Sequence, residues 1–493
     1  MDITLSDYGV GDEGGFGSSS EAELQKAMQA GHITGRDTTG LPLTQQPLKV
    51  ESLDKSLKLL EYRTQDIKLW NSITKIPAYN TVEEFLQLQS YGEDRGGFYD
   101  EGELSDVEDS TYVRRAERVK YIQVTGEVTM QAQIVTSFVP AMRQEINNKM
   151  MWIQRKANKS LTTANEDIIP QEFNGFYAQH ASIGSETGRL YSTYEQYYRS
   201  GLVIDLRGKS LKQEHVELGA VTVSDNYGSP NQLFGPISVM SAFSIDYYER
   251  QRITIGANAA NNKMAGTPIE TVATTQGQIG LNSDKFMKAD PAATIATQGT
   301  SVKAPPAPTA GATPVAMIAD ANVKYSGSEL GTVFYAVAAK NKYGQSAITL
   351  LGNSAVTLTA GQAVDLSFSA TSGSFPTQAF IIYRTKLTTA PTPGTETFYP
   401  IYQVSASSLS AGHNGAAATK TRDLGYFLPD CEKAFLAQLD DEVLAFKQLA
   451  PMSKLDLAVL GPSNRFIVFL FGTPQLFAPK KLVRYINVGK TYA

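Results

Sequence analysis

Five side chains in this 493-residue chain are of the kinds that most often hold metals or act as nucleophiles: His32, His180, His215, His413 and Cys431. No two of the histidines stand at metal-ligand spacing, and no His-Glu-x-x-His pattern occurs. His32 and His413 fall in glycine-rich stretches, and His215 belongs to Lys212-Gln213-Glu214-His215, an expected helix surface. Cys431 lies between Asp430 and Glu432. An acidic setting raises a thiol's pKa, so Cys431 reads as a small, partly buried residue. Gly11, Gly14, Gly15 and Gly17 follow no strand pattern, and neither a phosphate loop nor a Gly-x-Ser-x-Gly elbow is present. The expectation is a non-enzymatic chain with no catalytic residue, no metal site and no cofactor.

The densest chemistry left is charge. Glu93, Asp94, Asp100, Glu101, Glu103, Asp106, Glu108 and Asp109 stand against a single Arg95, and the stretch after them turns basic with Arg114, Arg115, Arg118 and Lys120. Clustered carboxylates suit Ca²⁺, but the EF-hand spacing is missing. Most charge runs are solvated loops. Here the acidic tip and the basic return favour a contact with a neighbour, where opposite charges set register and orientation. Glu101, Glu103, Asp106, Glu108, Asp109, Arg114, Arg115 and Arg118 are the candidate intersubunit residues.

The elements that would position this tip can be read from pattern. Residues 1–52, rich in Gly, Ser, Thr and Gln, read as an extended arm. Leu53, Leu57, Leu60, Ile67 and Trp70 share one helical face over 53–75, with Ser52 as N-cap. Residues 76–125 read as two long strands around the charged tip, a hairpin that is marginal alone and gains from lying on a neighbour. Over 126–302 a long helix comes first, capped by Thr136 or Ser137, with Pro140 in its first turn and a stripe of Met142, Ile146, Met150, Ile153 and Ala157. Short elements follow whose loops carry Phe173, Phe176, Tyr177, Tyr191, Tyr194, Tyr197 and Tyr198. Their aromatic character fits either protein contacts or ordinary packing.

At Lys303 the composition shifts. Pro305-Pro306-Ala307-Pro308 forms a stiff lead-in. Period-two runs follow at Val333, Tyr335, Val337 and at Val364, Leu366, Phe368, with a turn signal at Asn341-Lys342-Tyr343-Gly344 and a continuous β-prone run over Ala379–Arg384. Residues 303–425 therefore read as an immunoglobulin-like or fibronectin-like β-sandwich. Residues 426–493 return to a mixed core, with Phe466–Phe471 as a buried strand. The fold class is α+β, with a parent domain interrupted by a β-module. The apolar share of 42% is ample for buried cores, and a net charge of -5 with a pI near 5.6 gives no overall basic bias for gripping nucleic acid. No apolar run approaches the roughly 20 residues of a membrane span, and no secretory signal pattern opens the chain, so cytoplasmic production is expected.

The order of arm, charged hairpin, long helix, mixed domain and closing β-run resembles the Hong Kong 97-type capsid fold of tailed bacteriophages. In that family these parts are the N-arm, extended loop, spine helix, peripheral domain and axial domain. Phe173-Asn174-Gly175-Phe176 resembles the family's turn after the spine helix. Asp205-Leu206-Arg207-Gly208-Lys209, Asp225-Asn226-Tyr227-Gly228-Ser229-Pro230 and Gly266-Thr267-Pro268-Ile269, with Thr275, Gly277, Ile279 and Leu281, resemble the axial-domain segment of large myophage capsid proteins. Arg465-Phe466 to Gly472, Ala478-Pro479-Lys480-Lys481 and Ile486-Asn487-Val488 are similar to the end of capsid proteins from staphylococcal and SPO-type myophages. Those relatives carry a β-sandwich insertion with an Ile-Tyr-Arg strand like Ile382-Tyr383-Arg384.

The resemblance implies a major capsid protein that forms hexamers and pentamers of an icosahedral shell in the virion around non-specifically held DNA. It implies partners as well: a portal, a decoration protein and, since only about 50 residues precede the first expected helix, a separate scaffolding protein. No motif fixes a lysine–asparagine crosslink. The alternative is a tail, baseplate or fibre component using its β-module to touch a surface.

Overall fold

The structure, a computed structural model, describes residues 61–92, 98–104, 107–134, 140–180, 202–251, 269–390, 392–459 and 461–490, with backbone alone over 247–251. Several expectations therefore lie outside the described residues: the arm with His32, the helical face at Leu53, Leu57 and Leu60 with its cap Ser52, Thr136 and Ser137, Tyr191 to Tyr198, and Gly266 to Pro268. From Tyr62 onward the described residues belong to one unit.

The helix expected over 53–75 does not run through its described part. A single 3-10 turn, Thr64–Asp66, is followed by Ile67 in a non-helical conformation, one helical turn at Lys68–Ser72 and then β1, Thr74–Pro77. Tertiary partners override the periodicity. The Leu69 N–H donates to Asp284 at 3.1 Å and the Trp70 N–H to Asn158 at 2.7 Å, so helix-start donors are satisfied by side chains from elsewhere. Asn158 in turn donates its amide to both Asp284 oxygens, at 2.9 and 3.1 Å.

Asn158 sits on the long helix, Ala141–Thr163. Pro140 occupies the N-cap position, one residue before the first turn where it was expected, and its missing N–H costs nothing there either. The apolar stripe grades along the helix. Met142, Ile146 and Met150 are half-buried, whereas Ile153, Ala157 and Leu161 are fully enclosed. The helix ends at a tight reversal where the Gly175 N–H donates to Ala164 at 2.9 Å. A Cβ at Gly175 would meet the carbonyl oxygens of Ser160 and Leu161 at 2.8 Å, so only glycine lets the chain pass. Phe173 and Phe176 on either side are buried in the same core, which decides for packing over protein contact at these two aromatics.

This helix packs against a four-stranded sheet ordered β1-β20-β21-β4, with β4 Lys120–Thr129, β20 Leu444–Asp456 and β21 Ser463–Leu476. Phe466–Phe471 is half-buried in alternation, contrary to the fully buried run read from sequence. Phe466, Val468 and Leu470 face the helix, while Ile467, Phe469 and Phe471 stay partly exposed on the other face. A six-stranded sheet adjoins it, ordered β5-β22-β19-β6-β8-β7: β5 Val203–Asp205, β6 Gln232–Gly235, β7 Thr271–Thr274, β8 Gly277–Ser283, β19 Glu432–Ala437 and β22 Leu482–Val488. Helices Gln213–Asp225 and Ile237–Gln251 accompany this sheet. Every residue of β22 is buried, because Leu482 joins the long-helix core while Val483, Tyr485 and Val488 join the core under these helices.

Between Thr309 and Asp423 the chain forms two sheets over a shared core. One is built on β11 Tyr335–Asn341, β16 Ala379–Thr385 and β17 Phe398–Ser405; the other runs β18-β15-β9, with β9 Thr309–Ala319, β15 Gln362–Ser369 and β18 Lys420–Asp423. Tyr335, Val337, Val364, Leu366, Phe380 and Ile382 fill the space between them. The continuous run at Ala379–Thr385 has a physical reason: β16 is covered on both faces. Ile381 and Tyr383 pack on the far side with Phe334, Phe398 and Ala293. Ala293 also pairs with Phe398 through both backbone bonds at 2.8 Å, so contact with this region starts ten residues before Lys303.

Candidate intersubunit surface

The charged tip is carried by β2, Val82–Ser90, and β3, Thr111–Arg118, which pair only with each other among the described residues. Their register sets Glu84 opposite Ala116, Leu86 opposite Arg114 and Leu88 opposite Tyr112. Alternation then divides the hairpin into two faces. Glu83, Phe85, Gln87, Val113, Arg115 and Glu117 are half-buried against the parent. Val82, Glu84, Leu86, Leu88, Tyr112, Arg114, Ala116 and Arg118 face solvent. The inner face is anchored by Phe85 edge-on to Phe477 at 5.0 Å, by the Gln87 amide donating to the Phe477 carbonyl at 2.5 Å, and by the Gln475 amide donating to the Glu83 carbonyl at 3.2 Å.

The candidate residues separate into two sets. Glu101, Glu103, Glu108 and Asp109 are exposed, and among the described residues no Lys or Arg pairs with them; Asp106 lies outside those residues. The arginines are engaged within the chain. Arg114 pairs with Glu84, Arg115 donates to Gln87 at 2.6 Å, and Arg118 stands 3.6 Å from Glu166. The structure therefore does not bring the acidic tip and the basic return strand together.

Sequence reasoning emphasised charge and missed the apolar component. Phe98, Leu104 and Val107 in the tip are each more than 90% exposed, and Tyr91, Leu86 and Tyr112 are exposed as well. Both faces of β2 carry apolar residues, so alternation alone could not assign the outward set. Large apolar side chains left exposed on this ribbon make it a candidate association surface.

His180 is fully buried with its Nε2 at 2.8 Å from the Leu482 carbonyl, and burial, with Arg484 nearby, holds its pKa at about 3. His215 sits in the first turn of its helix, where its Nδ1 accepts the Lys212 N–H at 3.1 Å. His413 contacts the Thr421 hydroxyl at 2.9 Å and stacks on Tyr402. Burial, with Asp430 beside it, pushes the Cys431 thiol up to about 12, so thiolate is scarce at neutral pH. Among the described residues no group of three His, Cys, Asp or Glu side chains is placed to hold a metal ion, and no helix is long and apolar enough to cross a membrane.

No family model matches the chain. Curated relatives do. The putative major capsid protein of Enterococcus phage phiEF24C is 23% identical over 471 residues, spanning 94% of this chain and 95% of the relative. The major capsid proteins of Staphylococcus phages S25-3 and K are 23% and 22% identical over 485 residues, 96% of each chain. Among solved structures, a gene-transfer-agent capsid matches with TM-score 0.43 at 6% identity, covering 90% of this chain and 96% of that one. The SrpI encapsulin of Synechococcus elongatus matches with TM-score 0.41 at 7% identity, covering 88% and 93%.

Proposed function

We infer that this chain is the major capsid protein of a tailed bacteriophage, with the Hong Kong 97-type fold. The observation that carries the reading is similarity to capsid proteins of enterococcal and staphylococcal phages over 94–96% of this chain and 95–96% of theirs. The element order supports it: a projecting two-stranded hairpin, a 23-residue helix, and two sheets sharing the C-terminal strands. Its work is mechanical, to tile with its own copies into hexamers and pentamers that close an icosahedral shell around double-stranded DNA.

Within that reading the tip is a contact with a neighbouring copy. The apolar residues Phe98, Leu104 and Val107 supply burial, and Glu101, Glu103, Asp106, Glu108 and Asp109 supply charge that selects orientation. The acidic balance suits a container that releases its DNA, since a basic lining would hold phosphates. The chain carries out no catalysis; a scaffolding protein, a portal and a decoration protein are its proposed partners, and assembly takes place in the host cytoplasm. Residues 303–425 form a module inserted in the parent domain.

Negative-stain microscopy of the purified protein tests the function directly. Shells or ring-shaped capsomers are expected, and monomers or fibres alone would overturn the reading. Neutralising the five tip carboxylates tests the contact: assembly weakens and loses part of its dependence on salt, because exposed pairs are worth only about 0–1 kcal/mol each but recur in every copy. Unchanged assembly at every salt concentration would remove the tip from the interface.

A further inference from the structure

One end of the two-sheet region is cationic and aromatic. The turn after β11 carries Lys342 and Tyr343, the loop between β15 and β16 carries Phe375, and the proline-rich lead-in carries Lys303. The half-exposed Tyr343 ring has the Lys342 Nζ at 5.0 Å and the Lys303 Nζ at 5.6 Å from its centroid, and the Phe375 ring stands edge-on to it at 6.0 Å. Val302, next to Lys303 in sequence, is fully exposed. Segments 300–309, 340–346 and 371–378, which meet here, contain three lysines and no acidic residue. Lys340 is committed to Gln403 at 3.2 Å, and among the described residues no Asp or Glu pairs with Lys303 or Lys342. A ring at an exposed site offers a cation only about 0.5–1 kcal/mol, so both ammonium groups keep their capacity for a carboxylate.

The platform is held in place by its own hydrogen bonds. The Asn341 amide donates to the Lys303 carbonyl at 2.9 Å, and its oxygen accepts the N–H groups of Tyr343 and Gly344 at 2.9 and 3.1 Å. The Gln345 N–H donates to the Thr300 hydroxyl at 2.9 Å, and the Thr371 hydroxyl to the Ala307 carbonyl at 2.7 Å. A surface preorganised in this way gives up little conformational freedom when a partner covers it.

Its position is fixed relative to the hairpin. The Lys342 N–H donates to the Gln378 side chain at 2.9 Å, and the Gln378 amide donates to Gln171 at 2.8 Å. The neighbouring Pro170 carbonyl accepts from Lys120 at 2.7 Å, and Asn174 in the same reversal donates to Glu117 at 3.1 Å. Glu117 and Lys120 flank Val119, where the hairpin leaves the parent, so the platform lies beside the hairpin's root. The nine residues of β2, at roughly 3.3 Å each, put the tip about 30 Å away.

The tip has the opposite character. Glu101, Glu103, Glu108 and Asp109 are exposed without a cation, and Phe98, Leu104 and Val107 are bare. One surface supplies cations and rings, the other carboxylates and apolar side chains, and the paired ribbon keeps the two apart within one chain. We propose that the Tyr343 end of the two-sheet region receives the hairpin tip of a second copy, with Lys303 and Lys342 facing the carboxylates and Tyr343 and Phe375 covering the apolar residues. The assignment rests on the reading of the tip as an intersubunit contact and names the surface it meets.

Sedimentation of the full-length chain during assembly tests it, with charges reversed at positions that are all exposed, and the melting temperature as folding control. K303E with K342E should lower the assembled fraction about threefold or more at low salt, and E101K with E103K should do the same. All four changes together restore opposite charges across the contact and should bring assembly back toward the wild-type level. If the tip pair lowers assembly and the patch pair does not, the tip contact stands and the receiving site assigned to it is wrong. If both pairs lower assembly and the fourfold variant recovers nothing, tip and patch do not meet. If neither pair has an effect, the tip contact falls together with its receiving site.

Discussion

At the scale of single residues, the strongest commitments are polar groups removed from water in pairs. Arg384 and Asp423 are both buried and joined at 2.8 Å; Tyr335 donates to the same carboxylate oxygen at 2.9 Å, and the Gly425 N–H satisfies the other at 2.9 Å. Asp423→Ala strands the guanidinium without its counter-ion and should cost about 3–5 kcal/mol in a denaturant titration. His180 gives a pH-dependent counterpart. Unfolded, its ring takes a proton below about pH 6.5, whereas in the fold it does so only near 3. The unfolded state binds more protons in between, so stability is complete above about pH 6.5 and declines as pH falls toward 3. His180→Gln should lower the slope of unfolding free energy against pH in that window by about one proton. An unchanged slope would mean that the ring is hydrated in the fold.

At the scale of elements, close approach between strands is set by glycine facing an aromatic ring. A Cβ on Gly126 would lie 2.3 Å from the Phe466 ring, and one on Gly472 would lie 2.4 Å from the Lys447 carbonyl oxygen as well as from the Phe446 ring. Gly472→Val meets backbone and cannot be absorbed by a rotamer change, so it should destabilise by at least about 1–3 kcal/mol and lower the melting temperature in calorimetry. Gly126→Ala meets only a ring and should cost less. This scale also separates what the sequence discloses from what it hides. The long helix is legible because Ile153, Ala157 and their neighbours repeat at helical spacing, and β11, β15 and β16 because β-branched and aromatic residues cluster between turn residues. The helix through Ile67 and Trp70 was misread because the groups that end it, Asn158 and Asp284, are 88 and 215 residues away from the backbone donors they bind. At the tip, the acidic run was legible as composition. The outward set of Leu86 and Tyr112 was not, since which face of a two-sided ribbon is covered depends on Phe477, distant in sequence.

At the scale of the whole molecule, the two-sheet region from Thr309 to Asp423 is tied to the parent by directed contacts. Arg207 donates to Glu329 at 2.8 Å, to the Gly425 carbonyl at 2.7 Å and to the Lys324 carbonyl at 3.0 Å; Lys386 reaches Asp430 at 2.7 Å, which Lys490 holds from the other side at 2.8 Å. Arg207→Ala removes a fork that Lys could not replace. It should leave the core intact yet make the junction cleave faster in limited proteolysis; equal cleavage rates would show that Asp430 and the apolar contacts suffice. The backbone pairing of Ala293 with Phe398 carries a further consequence. Phe398 lies opposite Thr385, next to Arg384, and Arg384 holds Asp423, so the chain comes up beside Phe398 and leaves beside Asp423 at one end of the sandwich. A domain whose two ends emerge together behaves as a cassette: it can be lengthened, exchanged or lost in descent without moving the strands that carry it, provided the cut is made near Ala293 and Gly425.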